Sequence, residues 1–164
     1  MTASQYEKIS APFRNEKRTA QLKFVNKLLT ATGFAAYPLL LILLFISSPE
    51  KLFAAIVVPA SGFILLTLIR RKINRPRPYV ALDIHPIIHK DKKGNSMPSR
   101  HVFSMTVIAA SWFILSPVVC SLLMIFSVLL ALIRVIGGIH YPSDVIAGAL
   151  CAIVWAAVGF SVLL

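Results

Sequence analysis

Carboxylates are scarce in this chain: six Asp and Glu stand against seventeen Lys and Arg, for a net charge of +11. Charge of either sign is thin as well. Only 14% of the 164 residues are charged, where a soluble domain carries about 25%. That deficit, with 57% hydrophobic residues and a mean hydropathy of +0.79, excludes an ordinary soluble domain. The apolar residues come in runs long enough to cross a bilayer, so an integral membrane protein is expected. Cysteine is nearly absent. Cys120 and Cys151 lie inside apolar runs and read as small core residues, silent about redox compartment. No Cys and His cluster with metal-ligand spacing is present, nor any internal repeat or low-complexity tract. A cleaved secretory signal is not expected, because the first 27 residues are polar and the first apolar run is long enough to stay as an anchor. In a soluble protein the basic excess would suggest nucleic acid. Here the cations flank apolar runs, which points to anionic lipid head groups or a phosphorylated substrate instead.

The hydropathy pattern predicts an all-α, polytopic bundle of about five transmembrane helices. Residues 1–27 form a basic tail or interfacial segment, with a helix broken near Pro12 as one reading and a solvated tail as the other. Residues 28–164 form the membrane domain, with spans near 28–47, 52–69, 98–116, 118–136 and 144–164. The uncharged stretch 102–133 is too long for one span of about 20 residues. Ser116-Pro117 divides it, which returns His101 and His140 to the same side. Residues 70–101 are the one large polar segment and hold nine of the seventeen Lys and Arg. Arg75-Pro-Arg-Pro78 cannot continue a regular helix, and Lys90–Asn95 reads as a mobile loop tip. With five spans, 16 of the 17 basic residues share one face, leaving only Lys51 opposite. The positive-inside rule places that face in the cytoplasm, although a phosphate site needs cations whichever side it faces. Gly148, Ala152 and Ala156 form a small-residue stripe suited to close helix packing. Trp112, Trp155 and Tyr37 read as packing or lipid-facing residues.

The stretch from Arg134 to Asp144 carries the most chemistry. Gly137 and Gly138 end one helix and Pro142 suits the first turn of the next. Asp144 then falls where its carboxylate can reach His140, fix the tautomer and leave the other ring nitrogen basic. Arg134 can hold an anion in its fork. The bland alternative is a capped helix start with a snorkelling Arg and an interfacial His. Together with Arg70, Arg77 and Lys72 as further cations, and the Pro98–His101 turn as an anion cradle, the polar segments suit phosphoryl transfer. Two histidines on one face allow a nucleophile and a separate acid. His85 and His89 read as loop surface residues.

The order and spacing of these residues resemble the type 2 phosphatidic acid phosphatases, the PAP2 superfamily, whose motifs are KxxxxxxRP, PSGH and SRxxxxxHxxxD. The first is present as Arg70-RKINRP-Arg77-Pro78, with Arg for Lys. The second is Pro98-Ser99-Arg100-His101, with Arg for Gly. The third is Ile133-Arg134-VIGGI-His140-YPS-Asp144, with Ile for Ser. The resemblance implies that His140 is a nucleophile forming a phosphohistidine, oriented by Asp144. It implies that His101 is the acid and that Arg70, Arg77, Ser99 and Arg134 hold phosphate. Arg100 is expected to touch substrate, as a contact to a second phosphate or as a charge beside His101. No metal or cofactor is implied. The expected function is a membrane lipid phosphatase acting on an undecaprenyl diphosphate, phosphatidylglycerophosphate or phosphatidic acid type of substrate in a cell membrane. The expected partners are that lipid and the bilayer, with a homodimer left open. A catalytically silent lipid-binding or lipid-translocating protein of the same fold is the alternative. A soluble vanadate-dependent haloperoxidase shares the motifs but not the hydropathy.

Overall fold

A computed structural model describes all of residues 1–164. It is helical throughout, with no strand: α1 (Ala3–Ser10), α2 (Glu16–Ser47), α3 (Leu52–Ile73), the single turn α4 (Pro78–Ala81), α5 (Arg100–Ser111), α6 (Pro117–Ile136) and α7 (Pro142–Leu163). Local chemistry sets the starts. Asn15 accepts the Arg18 N–H ahead of α2, and Ser116 accepts the Val119 N–H ahead of α6, with Pro117 in its first turn. Pro59 lies inside α3 and cannot donate to the carbonyl four residues back. The Tyr37 hydroxyl takes that place, donating to Ala55 O at 3.2 Å, so the proline costs no buried acceptor.

Four segments are long and apolar enough to cross a membrane: those of α2, of α3 with the turn after it, of α6 and of α7. The fifth span of the sequence reading is shorter than the others. Helix α5 has 12 residues, followed by a 3-10 turn at Trp112–Ile114. It can be short because it is central. It packs against α2, α3, α6 and α7, and Val102, Phe103, Met105, Thr106, Val107, Ala109 and Ser111 are all buried. Its polar residues are paired within the bundle, Thr106 with Ser127 at 2.7 Å and Ser111 with Val107 O at 2.8 Å. The outer helices instead expose Phe34, Phe45, Ile64, Ile125, Val154 and Val162, a surface suited to acyl chains. This is an integral membrane protein.

Helix α2 begins at Glu16, twelve residues ahead of the expected first span, and runs about 48 Å at 1.5 Å per residue. A hydrocarbon core is about 30 Å thick. The surplus is the basic first third of the helix, which projects beyond the apolar layer. Beside it, α1 is fixed by Tyr6, which is fully buried. The Tyr6 hydroxyl donates to His85 O at 3.4 Å and accepts the Ile87 N–H at 3.3 Å. The N-terminus therefore shares one end of the bundle with the 74–99 loop. Gly138 lies under the same ring. Its φ is +77°, and a Cβ there would come within 2.8 Å of the Tyr6 oxygen, so both backbone and space require glycine.

Candidate active site

The segments before α5, after α6 and at the start of α7 meet at that end. Ser99 N–H donates to Asp144 O at 2.7 Å and Ile88 N–H to Gly137 O at 3.1 Å. The approach of α7 to the Ser99 turn depends on Gly148, where a Cβ would lie 2.6 Å from Ser99 O. Gly148, Ala152 and Ala156 are all buried.

Asp144 is fully buried and has several partners. Arg75 Nη1 pairs with Oδ1 at 2.8 Å. Ser96 Oγ donates to Oδ2 at 2.5 Å, and the Tyr141 N–H reaches Oδ2 at 3.0 Å. His140 Nδ1 stands 3.5 Å from Oδ2 and 3.3 Å from Ser96 Oγ. A carboxylate only accepts, so the single Ser96 proton goes to Asp144 and the hydroxyl lone pair faces Nδ1. That assigns the proton to Nδ1 and leaves Nε2 with its lone pair on the ring's cavity side. Burial, with help from Arg77 and Arg134 and against the pull of Asp144, brings His140 down to about 4. The imidazole is neutral at pH 7, the form a nucleophile needs.

A polar cavity of about 510 Å³ opens above His140. No apolar residue lines it. His101, His140, Arg70, Arg77, Arg100 and Lys90 do, and Asp91 is its one carboxylate. Arg134 stands close enough to act on both histidines and Lys90 by its charge. Several buried donors have no protein partner: Arg77 Nε in the cavity wall, and Arg134 Nε and Nη1 and the Ser99 hydroxyl outside that wall; Asn95 Oδ1, an acceptor in the wall, has none either. The Arg77, Arg134 and Ser99 side chains are more than nine-tenths buried. Buried donors in native structures are almost always satisfied, so these are open to an acceptor that the protein itself does not supply. Arg77 Nη1 holds Ile139 O at 3.2 Å and Arg134 Nη2 holds Thr30 Oγ1 at 3.4 Å, which fixes both forks. Arg70 differs. Its Nη1 and Nη2 donate to the backbone carbonyls of Pro98 and Asn95.

The remaining departures from the motifs have their own surroundings. Arg100 lies over the Phe63 ring, 5.3 Å from its centroid. Ile133 belongs to the apolar core with Leu29, Leu130 and Ile139. Lys72 and His85 are exposed and line no part of the cavity, whereas His89, read as a surface residue, is exposed but lies on its rim. The tip expected to be a free loop is tied down: Arg77 N–H donates to Lys93 O at 3.1 Å, Ser96 N–H to Arg75 O at 2.9 Å, and the Tyr79 hydroxyl to Lys92 O. No group of three or more His, Cys, Asp or Glu side chains is placed to hold a metal ion.

Sequence reasoning gave no role to Ser96, Arg75 or Lys90. Arg75 had a usable signal. A buried carboxylate beside a neutral His needs a cation, and Arg75 was one of two arginines of the first motif, with Arg71, left without a task. Ser96 and Lys90 had none.

These elements define a helical membrane protein with a cation-lined cavity and a buried histidine at one end of its bundle. The PAP2 superfamily profile matches residues 51–163; the chain belongs to that superfamily and is by family a phosphoric ester hydrolase. Two solved structures are similar. Aquifex aeolicus LpxE shares 23% identity, covering 98% of this chain and 94% of that one, with a TM-score of 0.76. The Bacillus subtilis transmembrane PAP2-type phosphatidylglycerolphosphate phosphatase shares 22% identity, covering 97% and 84%, with a TM-score of 0.72. Both show the same fold. No curated protein matches the chain by sequence.

Proposed function

We propose that this protein hydrolyses a phosphate monoester or diphosphate on a membrane lipid, without a metal, through a phosphohistidine intermediate. The observation that carries the reading is the junction at Arg100 and His101. Both residues line the polar cavity and also an apolar pocket of about 170 Å³ with Phe34, Phe63, Met105 and Ile108. That pocket continues between α2, α3 and α5 into a second of about 360 Å³, reaching Tyr37, Pro59 and Ile64. Phe34 and Phe63 are exposed on the lipid side. An amphiphile with an anionic head and an acyl or prenyl tail fits such a two-part cleft; a water-soluble ester would leave half of it empty.

In this mechanism Arg77, Arg134 and Ser99 hold the phosphoryl oxygens, and their charge does the neutralisation that a divalent ion does elsewhere. His140 Nε2 attacks phosphorus and forms a P–N bond as the lipid oxygen leaves. Asp144, through Ser96, keeps the ring oriented and accepts the charge that develops on it. His101 protonates the leaving oxygen, then removes a proton from water as that water cleaves the P–N bond and releases phosphate. Undecaprenyl diphosphate, phosphatidylglycerophosphate and phosphatidic acid are the substrate types to try first.

Phosphate release by the purified, lipid-reconstituted protein over that panel, with excess EDTA, tests the reading. Turnover that persists in chelator and vanishes in His140→Ala is expected. Release that needs added Mg²⁺, or an acid-labile phosphoprotein still formed by His140→Ala, refutes the mechanism. No release from any lipid favours the silent binding protein.

A further inference from the structure

Arg70 points both terminal nitrogens at the chain leading into α5, at Pro98 O and Asn95 O. Two of its five N–H donors are thereby engaged, one on each terminal nitrogen, so the fork that would grip a phosphate is shared with the backbone. Its placement suits a brace that shapes the 95–98 turn, and with it Ser96 and Ser99. Arg70 still lines the cavity, with its orientation fixed by the turn.

Lys90 enters the cavity from the 82–99 loop. It is half-buried and lines the same wall as His101 and His140. The ion pair of Arg75 with Asp144 does not include Lys90. The charges acting on it are Arg134 on α6, Arg100 on α5, and Arg77 and Lys92, with Asp91 beside it in the loop. Four cations surround a half-buried ammonium that has no carboxylate partner. A charge in that setting is costly unless an anion joins it, and the unpartnered donors of Arg77, Arg134 and Ser99 face the same shortage.

We propose that Lys90 is a substrate-binding residue, an ammonium that grips the phosphoryl oxygens alongside the arginine forks. The proposal rests on the phosphatase reading for its substrate but not for its anion. An ammonium on a flexible four-carbon stem reaches the phosphate as a point charge, whereas the buried forks fix orientation. Burial and the four neighbouring cations bring Lys90 down to about 8, so its charge is lost on the alkaline side unless phosphate is already bound.

The experiment compares wild type, Lys90→Met, Lys90→Arg and Lys93→Met, the last an exposed residue of the same loop that does not line the cavity. Two readouts are taken: kcat/KM for phosphate release from pH 5 to 10, and the affinity for inorganic phosphate by calorimetry. Lys90→Met should lower both by about 10- to 100-fold, the range for a lost charge-assisted contact. Lys93→Met should stay within about twofold. Lys90→Arg should keep most of the activity and move the alkaline limb of kcat/KM upward, because a guanidinium stays charged there; a limb from the substrate's own ionisation is common to all four proteins. If wild type turns over and Lys90→Met behaves like Lys93→Met, or the Lys90→Arg limb stays where it was, the Lys90 assignment is wrong and the phosphatase stands. If wild type releases no phosphate yet Lys90→Met still weakens phosphate binding tenfold, the phosphatase reading falls and the Lys90 site stands. Wild type that neither turns over nor binds phosphate overturns both.

Discussion

Ser96→Ala isolates the link between Asp144 and His140. Nδ1 of His140 is 3.3 Å from the Ser96 oxygen and 3.5 Å from the carboxylate, so the hydroxyl is the closer acceptor. Alanine leaves Asp144 with Arg75 and the Tyr141 N–H. It leaves the Nδ1 proton with only the long contact. A buried polar group without its partner costs about 1–3 kcal/mol. If that cost falls on the attack geometry, kcat drops by about 5- to 150-fold. KM should hardly move, because Ser96 touches no part of the anion cage. The side chain is fully buried and loses one oxygen, a small void that the fold tolerates. Rapid-quench trapping of phosphoprotein in single turnovers gives the step directly. The loss should be equal at pH 6 and pH 8, since burial keeps His140 neutral down to about 4 and its protonation changes little between those values. Asp144→Asn should cost more, on the order of 10³- to 10⁴-fold, because the amide can donate to Nδ1 and reverse the tautomer. A Ser96→Ala enzyme within twofold of wild type, or one whose defect lies wholly in KM, would show that Asp144 orients His140 directly and that the serine is incidental.

Arg134→Met should abolish turnover, by at least about 10³-fold, yet leave the unfolding temperature in phosphate-free detergent unchanged or higher, because it removes a buried cation with two unpartnered donors. In wild type, phosphate at a hundred times its Kd should add about 2.7 kcal/mol of stability, and this variant should lose that gain. A large drop in its unfolding temperature without ligand, read by thermal fluorescence, counts against an anion-ready cage. Gly148→Val places side-chain carbon against Ser99 O and N, 2.6 and 3.2 Å from the first atom added. Backbone cannot step aside, so α7 must shift, at about 1–3 kcal/mol. Thermal unfolding should fall by several degrees and kcat/KM with it; an unchanged kcat/KM would mean that the contact of α7 with the Ser99 turn does not position the site.

The two ends of the chemistry were unequally legible. Hydropathy runs, the Ser116-Pro117 break and the Pro142 start carry local signals, so the order of helices and the shared face of His101 and His140 could be read off. The length of α5 could not. Its apolar run looks like any span, and only its central position, with neighbours on every side, explains why 12 helical residues suffice. The start of α2 was hidden for the opposite reason: its first turns are basic and carry no apolar stripe. Within the site, Asp144 and His140 are four residues apart and could be paired on paper. Ser96 and Arg75 lie 48 and 69 residues from Asp144; nothing marks Ser96, and only its place in the first motif marks Arg75. The use of Arg70 depends on where two carbonyls of the 95–98 turn point, which no residue type encodes.

Charge balance connects the composition to the site. The chain has six carboxylates. Asp144 is the one that is buried, and its oxygens are taken by Arg75, Ser96 and the Tyr141 N–H. It supports His140 and leaves nothing for the cage. Asp91, alone on the cavity wall, faces six cations there: Arg70, Arg71, Arg77, Lys90, Lys92 and Arg100. One more acid paired with Arg77 or Arg134 would relieve the unpartnered donors and stabilise the empty protein. It would also occupy the oxygen positions that a phosphoryl group must fill. On the proposed function, the shortage of acid is the condition under which an anion would bind: cations that the fold leaves uncompensated would be compensated by substrate, and most fully as the negative charge of the transferring group spreads over its oxygens. Stability given up in the empty state is what gives the bound state its grip.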